Sequence, residues 1–284
     1  MKNLFGEEVE EKKLLREKYI EPPFSVLETR STRWQVRKND WKVLGIKSEV
    51  GREEGMTMGH NGQDEVSKKL NFTSIFDPVL TEVMYKWFCP DDGTILDPFA
   101  GGSVRGVVAN YLGYKYTGIE LRQEQVDSNR EQGLEILESY NQPTWICGDS
   151  DEELDKLQGQ YFDFIFSCPP YVDLEVYSKL PEDLSNMNYD DFLVKYRSII
   201  RKSVGLLKTG GIAVFVVGEV RDKKGYYYGF VPDTIKAFVD SGAKLYNEAI
   251  LLNSLASAGM RAEGNMKSKK LVKVHQNVLI FKKQ

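Results

Sequence analysis

Thr94-Ile95-Leu96-Asp97-Pro98-Phe99-Ala100-Gly101-Gly102-Ser103 runs an apolar strand directly into a glycine turn. Val104 to Leu112 then reads as a helix, and Tyr116-Thr117-Gly118-Ile119-Glu120 as a second strand ending on an acid. Strand, glycine turn, helix and acid-ended strand make up the unit with which parallel α/β sheets hold a nucleoside. The glycines let backbone approach the ligand, and the acid accepts hydrogen bonds from ribose hydroxyls. The dinucleotide fingerprint Gly-x-Gly-x-x-Gly is not met, because a count starting at Gly101 needs glycine at Ser103. Asp97, placed just before the turn, would repel a pyrophosphate and suits an amino group or a sulfonium.

Downstream, the apolar run Phe164-Ile165-Phe166-Ser167 stops at Cys168-Pro169-Pro170-Tyr171. Proline fixes φ and has no N–H, so Pro169 and Pro170 cannot extend a central strand. They make a rigid strand end with outward carbonyls, followed at once by a flat ring. Such a tip can accept hydrogen bonds from an amino group and stack on a planar base. Open α/β sheets bind ligands just beyond the carboxyl ends of their strands, where this tip belongs. Read alone, it is a strand closed by a Pro-Pro turn; the glycine motif upstream gives it a functional reading.

Together the two motifs resemble the DNA amino-methyltransferases, which move a methyl group from S-adenosylmethionine to adenine N6 or cytosine N4. In that family a Phe-x-Gly-x-Gly loop binds the cofactor, and an Asp, Asn or Ser followed by Pro-Pro-aromatic is catalytic. Here the loop is Phe99-Ala100-Gly101-Gly102-Ser103, with Ser103 at the second family glycine, and the catalytic motif is Cys168-Pro169-Pro170-Tyr171. The resemblance covers roughly Phe72 to Phe281. It implies a Rossmann-like class I methyltransferase: a seven-stranded, mostly parallel sheet with helices on both faces, its seventh strand inserted antiparallel beside the fifth. It further implies that Thr73, Ser74 and Phe76 enclose the methionine end of the cofactor, that Asp97, Pro98, Phe99, Ala100, Gly101, Gly102, Ser103 and Glu120 hold it, and that Asp149 meets the adenine amino group. A rival reading makes Asp149 the N-cap of a helix starting at Asp151.

For catalysis the resemblance implies two acceptors on the target amino group, one of them the Pro169 carbonyl. Cys168 stands where the family places the other; Ser167, Asp163 or a residue of the Val172–Asn188 loop is an alternative. Transfer is expected to be direct, with the base extruded from the duplex and stacked on Tyr171. A cytosine-C5 mechanism does not fit, because that family's nucleophile lies in Pro-Cys order. A methyltransferase of RNA or of a protein amide shares the Pro-Pro-Tyr tip, and a non-catalytic DNA-binding relative would keep the fold.

Around this core the chain has 284 residues, 41% hydrophobic and 28% charged, with a net charge of −4. An acidic body confines any DNA-binding face to local patches. The stretch Arg30-Ser31-Thr32-Arg33-Trp34-Gln35-Val36-Arg37-Lys38-Asn39-Asp40-Trp41-Lys42 interleaves bases with two indoles. It suits phosphate contact, or an amphipathic segment with indoles inward and arginines outward. A second basic tract lies at Lys267–Lys273, within a glycine-containing stretch from Asn253 that reads as a disordered or DNA-ordered loop. A third, Arg221 to Tyr228, joins Lys223 and Lys224 to three tyrosines and is expected to overhang the cleft, or to be a tyrosine-rich hairpin. Residues 1–70 read as an N-terminal extension with DNA contact, and 71–284 as the catalytic domain. Base reading then falls to that extension and the inserted loops, or to the second subunit of a homodimer. Cys89, Cys147 and Cys168 are odd in number and widely spaced, which fits neither a disulfide framework nor a Cys₄ metal site and agrees with a reducing cytoplasm. No apolar run approaches a membrane span.

Overall fold

The computed structural model describes residues 15–47, 76–171, 182–253, 255 and 258–284. The strands are β1 (Val26–Glu28), β2 (Thr94–Asp97), β3 (Lys115–Glu120), β4 (Thr144–Cys147), β5 (Phe162–Ser167), β6 (Leu207–Val217), β7 (Ala243–Leu252) and β8 (His275–Lys283). They form one sheet in the order β1-β7-β8-β6-β5-β2-β3-β4. Neighbours pair parallel throughout, except that β8 runs antiparallel to both β6 and β7. The antiparallel insertion expected between residues 244 and 281 is therefore present.

The sheet has eight strands, not the expected seven. The additional strand is β1, which comes from the N-terminal stretch and extends the edge through Val26–Ile250, Leu27–Leu251 and Glu28–Leu252. Three residues with one buried side chain, Leu27, offer too little alternation to be recognised as a strand. Part of the 1–70 extension is thus built into the sheet.

The helices among the described residues are α1 (Leu15–Tyr19), α2 (Thr32–Val43), α3 (Pro78–Phe88), α4 (Val104–Tyr111), α5 (Gln123–Ile136), α6 (Ser150–Lys156), α7 (Tyr189–Leu206), α8 (Phe230–Asp240) and α9 (Ala258–Lys267), with a 3₁₀ turn at Leu184–Asn186. Strand side chains alternate between two cores, as a period of two requires. Ile95, Phe164, Phe166, Val214 and Val216 face the core shared with α2, α3, α4 and α5. Leu96, Ile165, Ala213, Phe215 and Val217 face the core shared with α6, α7 and α8. None of the helices among the described residues is long and apolar enough to cross a membrane.

Asp77-Pro78 and Asn188 read in sequence as helix starts, and both are. Asp77 caps α3, accepting from the Val79 and Leu80 amides at 2.9 and 3.3 Å, and Pro78 takes the first turn, where its missing N–H costs nothing. Asn188 caps α7 in the same way. In sequence Thr209-Gly210-Gly211 reads as the end of the helix that starts near Tyr189, but α7 stops at Leu206 and these residues form an irregular section inside β6, between the pairings Phe162–Leu207 and Phe164–Ile212. The Asn253–Lys273 stretch, read as a loop, carries α9. Gly51 to Gln63, which four glycines and little apolar content mark in sequence as a mobile loop, lies outside the described residues.

The indoles of the Arg30–Lys42 tract point inward. Trp34 and Trp41 are buried, and their Nε1 groups donate to Asp77 and Glu82 at 3.2 and 3.0 Å. The cations around them are paired: Arg30 with Glu28 at 2.6 Å, Lys38 with Asp77 at 2.9 Å, Arg33 with Glu21 and Arg37 with Glu82. These carboxylates neutralise much of the field that the tract was expected to offer to phosphates.

Candidate active site

β2 and β5 are neighbours at the middle of the sheet, and the chain order reverses between them. That reversal opens a crevice at the carboxyl edge, and both motifs end there. In the glycine loop, Gly101 has φ +54° and open space where a Cβ would stand. A left-handed backbone with nothing above it is what close approach of a ligand requires. Ser103, at the second family glycine, has an ordinary right-handed backbone (φ −66°, ψ −19°). A side chain costs nothing there, and its hydroxyl hydrogen-bonds Gln132.

α5 holds this loop from below. Asn129 donates to the Gly101 carbonyl at 2.7 Å, Gln125 donates to Asn129 at 2.9 Å, and Arg122 donates to Gln125 at 2.9 Å. Gln132, besides meeting Ser103, donates to the Lys47 carbonyl. These amides look in sequence like the solvated face of a polar helix. They are buried, and they satisfy one another and the loop.

Glu120 closes β3 beside the loop, with its carboxylate accepting the Arg122 amide at 3.0 Å and the Arg122 guanidinium 3.4 Å away. Burial pushes its carboxyl up, against the opposing pull of Arg122 and of the Gly101 amide. Its side chain keeps 12% exposure, at the place where the motif puts ribose hydroxyls.

Asp97 is placed differently from expectation. It is fully buried, and four donors occupy its carboxylate: Phe99 N at 3.1 Å and Ser167 Oγ at 2.5 Å on one oxygen, Arg105 Nε at 2.6 Å and Tyr116 OH at 2.7 Å on the other. Arg105 also donates to the carbonyls of Phe99 and Ala100 at 2.6 and 2.9 Å. The carboxylate is therefore neutralised inside the protein, and the reading of Asp97 as a partner for a ligand cation is corrected to one of positioning. A single buried ion pair ties the glycine loop to the base of the Pro-Pro tip, since Ser167 immediately precedes Cys168. Sequence inspection missed Arg105, Tyr116 and Ser167 as its members.

Ser167 is removed as an acceptor for a substrate amino group because it is fully buried, with its hydroxyl turned to Asp97. Asp163 is removed as well: it sits at the start of β5, at the opposite edge, holding Thr94 and Lys208. Of the Val172–Asn188 loop, residues 172–181 lie outside the described residues; Asp183 caps the 3₁₀ turn and Asn188 caps α7. Cys168 is half-buried and packs on the first core, and Pro169 is buried. Tyr171 is half-buried, its ring edge-on to Phe230 at 6.0 Å, and its hydroxyl accepts from Gln276 Nε2 at 2.9 Å.

The remaining expected residues divide. Phe76 packs edge-on against Phe166 at 5.6 Å, with the Arg105 guanidinium over its ring at 4.4 Å, and so lies beside the strand that carries the tip. Thr73 and Ser74 lie outside the described residues. Phe99 turns its ring toward Tyr196 and Phe215, and the Pro98 carbonyl accepts from Ser150. Asp149 is the N-cap of α6, accepting the Asp151 amide at 3.0 Å, while its other oxygen meets Lys195 Nζ at 2.6 Å. Gly102 completes the turn before α4 without adopting a positive φ.

Beyond β6, Arg221 to Tyr228 is the hairpin that its tyrosines allowed. Arg221 bridges Tyr227 and lies 3.8 Å over its ring, and Tyr228 stacks on Tyr189 at 4.3 Å. Lys270 reaches the hairpin: a Cβ added at Gly225 would stand 2.2 Å from its Nζ. The second and third basic tracts therefore meet, and Lys223, Lys224, Lys267 and Lys269 are all exposed there.

A family model described as DNA methylase matches residues 7–131, which include the glycine loop and Glu120 and stop before the Pro-Pro tip. Among solved structures, one assigned as an S-adenosylmethionine-dependent methyltransferase from Streptococcus mutans aligns with a TM-score of 0.50 at 14% identity, covering 73% of this chain and 49% of that one. The fold is that of the Rossmann-like methyltransferases. TrmN from Thermus thermophilus aligns at TM-score 0.49 and 14% identity over 74% of this chain and 49% of its own, so the chain spans about half the length of that protein. A TehB-like S-adenosylmethionine-dependent methyltransferase from Corynebacterium glutamicum aligns at TM-score 0.45 and 15% identity, covering 88% and 96%. No curated protein sequence matches the chain.

Proposed function

We propose that the protein transfers a methyl group from S-adenosylmethionine to an exocyclic amino group of a DNA base, adenine N6 or cytosine N4. The observation that carries this reading is the placement of the glycine loop and the Cys-Pro-Pro-Tyr tip on adjacent strands, joined through Asp97, Arg105 and Ser167. The crevice fits the cofactor in two respects: Gly101 leaves open space over a left-handed backbone, and Glu120 presents a carboxylate at the end of the next strand. Gly101, Gly102, Ala100 and Glu120 would hold it. When bound it supplies a methyl group already activated by sulfonium charge.

The protein's own part is to prepare the nucleophile. An exocyclic amino nitrogen is weak because its lone pair is delocalised into the ring. The Pro169 carbonyl accepts one amino hydrogen and draws the nitrogen toward tetrahedral geometry, on a strand end that needs no rearrangement during reaction. Tyr171 offers a stacking face to the extruded base. Cys168 acts through its position, since a thiol is a weak acceptor and direct transfer needs no thiolate. Phosphate contacts come from the joined basic surface of Lys223, Lys224 and Lys269, with Lys267 beside them in a long 3.9 Å pair with Glu263, more than from the closely paired arginines of α2.

Single-turnover transfer of labelled methyl to duplex DNA, with RNA and protein offered in parallel, tests the reading. Cys168→Ser is expected to retain transfer, because serine is a family residue at this position. A covalent DNA adduct at Cys168, or a dead Cys168→Ser enzyme with unchanged folding, overturns the mechanism. Glu120→Ala is expected to weaken cofactor binding by about 1–3 kcal/mol through lost charge-assisted bonds to ribose. Calorimetry that finds wild-type affinity removes Glu120 from the site.

A further inference from the structure

Because β8 runs antiparallel, its first residues arrive at the carboxyl edge of the sheet, next to the end of β6 and one strand removed from the end of β5. The ladder to β6 ends at the pairing of Val217 with Asn277, so Gln276 stands one residue beyond it, next to Gly218. On its other side Gln276 stays paired with Leu251 of β7, which fixes its backbone. From there its Nε2 donates to the Tyr171 hydroxyl at 2.9 Å, across 105 positions of sequence. Gly218 lies against this contact: a Cβ built there would stand in van der Waals reach of both partners, 3.6 Å from the Tyr171 hydroxyl and 3.9 Å from Gln276 Cγ, so the three residues form one cluster.

Phe230 and Gln276 both restrain the Tyr171 ring. Phe230 meets it edge-on at 6.0 Å with the planes 77° apart, and Gln276 holds the hydroxyl. A packed edge limits the tilt of a ring, and a hydrogen bond to the para oxygen from a strand-held amide limits the swing of its far end. Stacking of a planar base on the ring depends on apposed faces, so a ring held in place before the base arrives has less to order. Pre-setting the plane lowers the ordering cost of binding.

We infer that Gln276 is a positioning residue for the base-handling ring: it acts through Tyr171, and its loss is felt in acceptor binding and transfer while the cofactor crevice is left intact. The inference rests on the reading of residues 168–171 as the base-handling tip. Glu120 and the glycine loop lie on the other side of β2 from this contact, and the Gln276 backbone pairing survives any side-chain change.

Gln276→Met keeps length and volume and removes the donor. It is expected to raise the KM for an oligonucleotide acceptor by about five- to tenfold, the scale of one hydrogen bond. Cofactor affinity by calorimetry and the thermal midpoint should stay at wild-type values. Gln276→Glu, which can accept from the Tyr171 hydroxyl in place of donating to it, should recover most of the loss. In a Tyr171→Phe background Gln276→Met should add nothing further, because the two changes remove the same bond.

Loss of cofactor affinity and thermal midpoint together in Gln276→Met, or full additivity with Tyr171→Phe, overturns the inference. A second measurement separates it from the proposed activity. Ring-carbon NMR of labelled tyrosine, with Tyr171 assigned through Tyr171→Phe, should show the Tyr171 signal shifted by Gln276→Met. A shifted signal in a protein that transfers no methyl to DNA retains the contact and rejects the activity. An unshifted signal rejects the contact itself.

Discussion

Arg105→Leu is expected to destabilise the protein by about 3–5 kcal/mol, the scale for a buried ion pair that loses one partner. Arg105 and Asp97 have side chains 5% and 0% exposed. Burial works against the guanidinium's charge, but Asp97 first, with Tyr116 and Cys168 adding to it, more than offsets burial and holds the group protonated. Burial, with Asp97 adding to it, also pushes the Tyr116 hydroxyl well above its usual range, so that this phenol stays a donor to the carboxylate. With leucine at 105, Asp97 keeps three neutral donors and no countercharge, and the carbonyls of Phe99 and Ala100 lose the donors they share. Urea unfolding reads the loss as a lower midpoint with an unchanged slope. The double variant Asp97→Leu/Arg105→Leu should lie closer to wild type in stability than Arg105→Leu alone, because no charge is then stranded. Its cofactor affinity should nonetheless fall, since the tie between loop and tip is gone. Arg105→Leu within 1 kcal/mol of wild type, a loss too small for a stranded charge, would show that Asp97 does not depend on this partner.

Tyr171→Ala is expected to abolish most methyl transfer while leaving cofactor binding intact. Stacking of one base on an aromatic ring is worth about 1–3 kcal/mol, or about 5- to 150-fold in acceptor binding at 1.4 kcal/mol per decade. Loss of the ring also frees Gln276 and exposes the edge of Phe230, so the base meets a disordered wall. Tyr171→Phe is the control: it keeps the stacking face and loses only the hydroxyl contact, and should lie near Gln276→Met in effect. Single-turnover transfer and calorimetry with the cofactor separate the two sides of the crevice. Wild-type transfer by Tyr171→Ala would remove the ring from the reaction. A parallel loss of cofactor affinity would make its role structural.

The two motifs were legible because each is local. A glycine that must take φ +54°, two prolines that end a strand, and an aspartate that caps a helix start are decided within a few residues, and all lie where the sequence places them. The acid at the end of β3 belongs to the same class, and so does the antiparallel last strand, which follows from the resemblance those motifs carry. The inward indoles of α2 were readable as one of two options, because an amphipathic face shows its apolar residues without showing what covers them.

What tertiary structure alone decided is which way the polar groups face. The amides of Gln125, Asn129 and Gln132 read as a solvated helix face, yet they are buried beneath the glycine loop, where one another, Ser103 and the Gly101 and Lys47 carbonyls satisfy them. Three residues at Val26–Glu28 become a strand only because β7 presents a free edge. Asp97 reads as a ligand for a cation, and a cation is what it meets, but the cation is Arg105 eight residues on, with Ser167 brought from 70 residues away by the pairing of β2 with β5. Turns, caps and strand ends are set by short-range sterics and backbone hydrogen bonding, which the order of residues specifies directly. The partner of a buried charge is set by which strands lie side by side, because a carboxylate taken out of water binds the nearest donors that the packed sheet supplies.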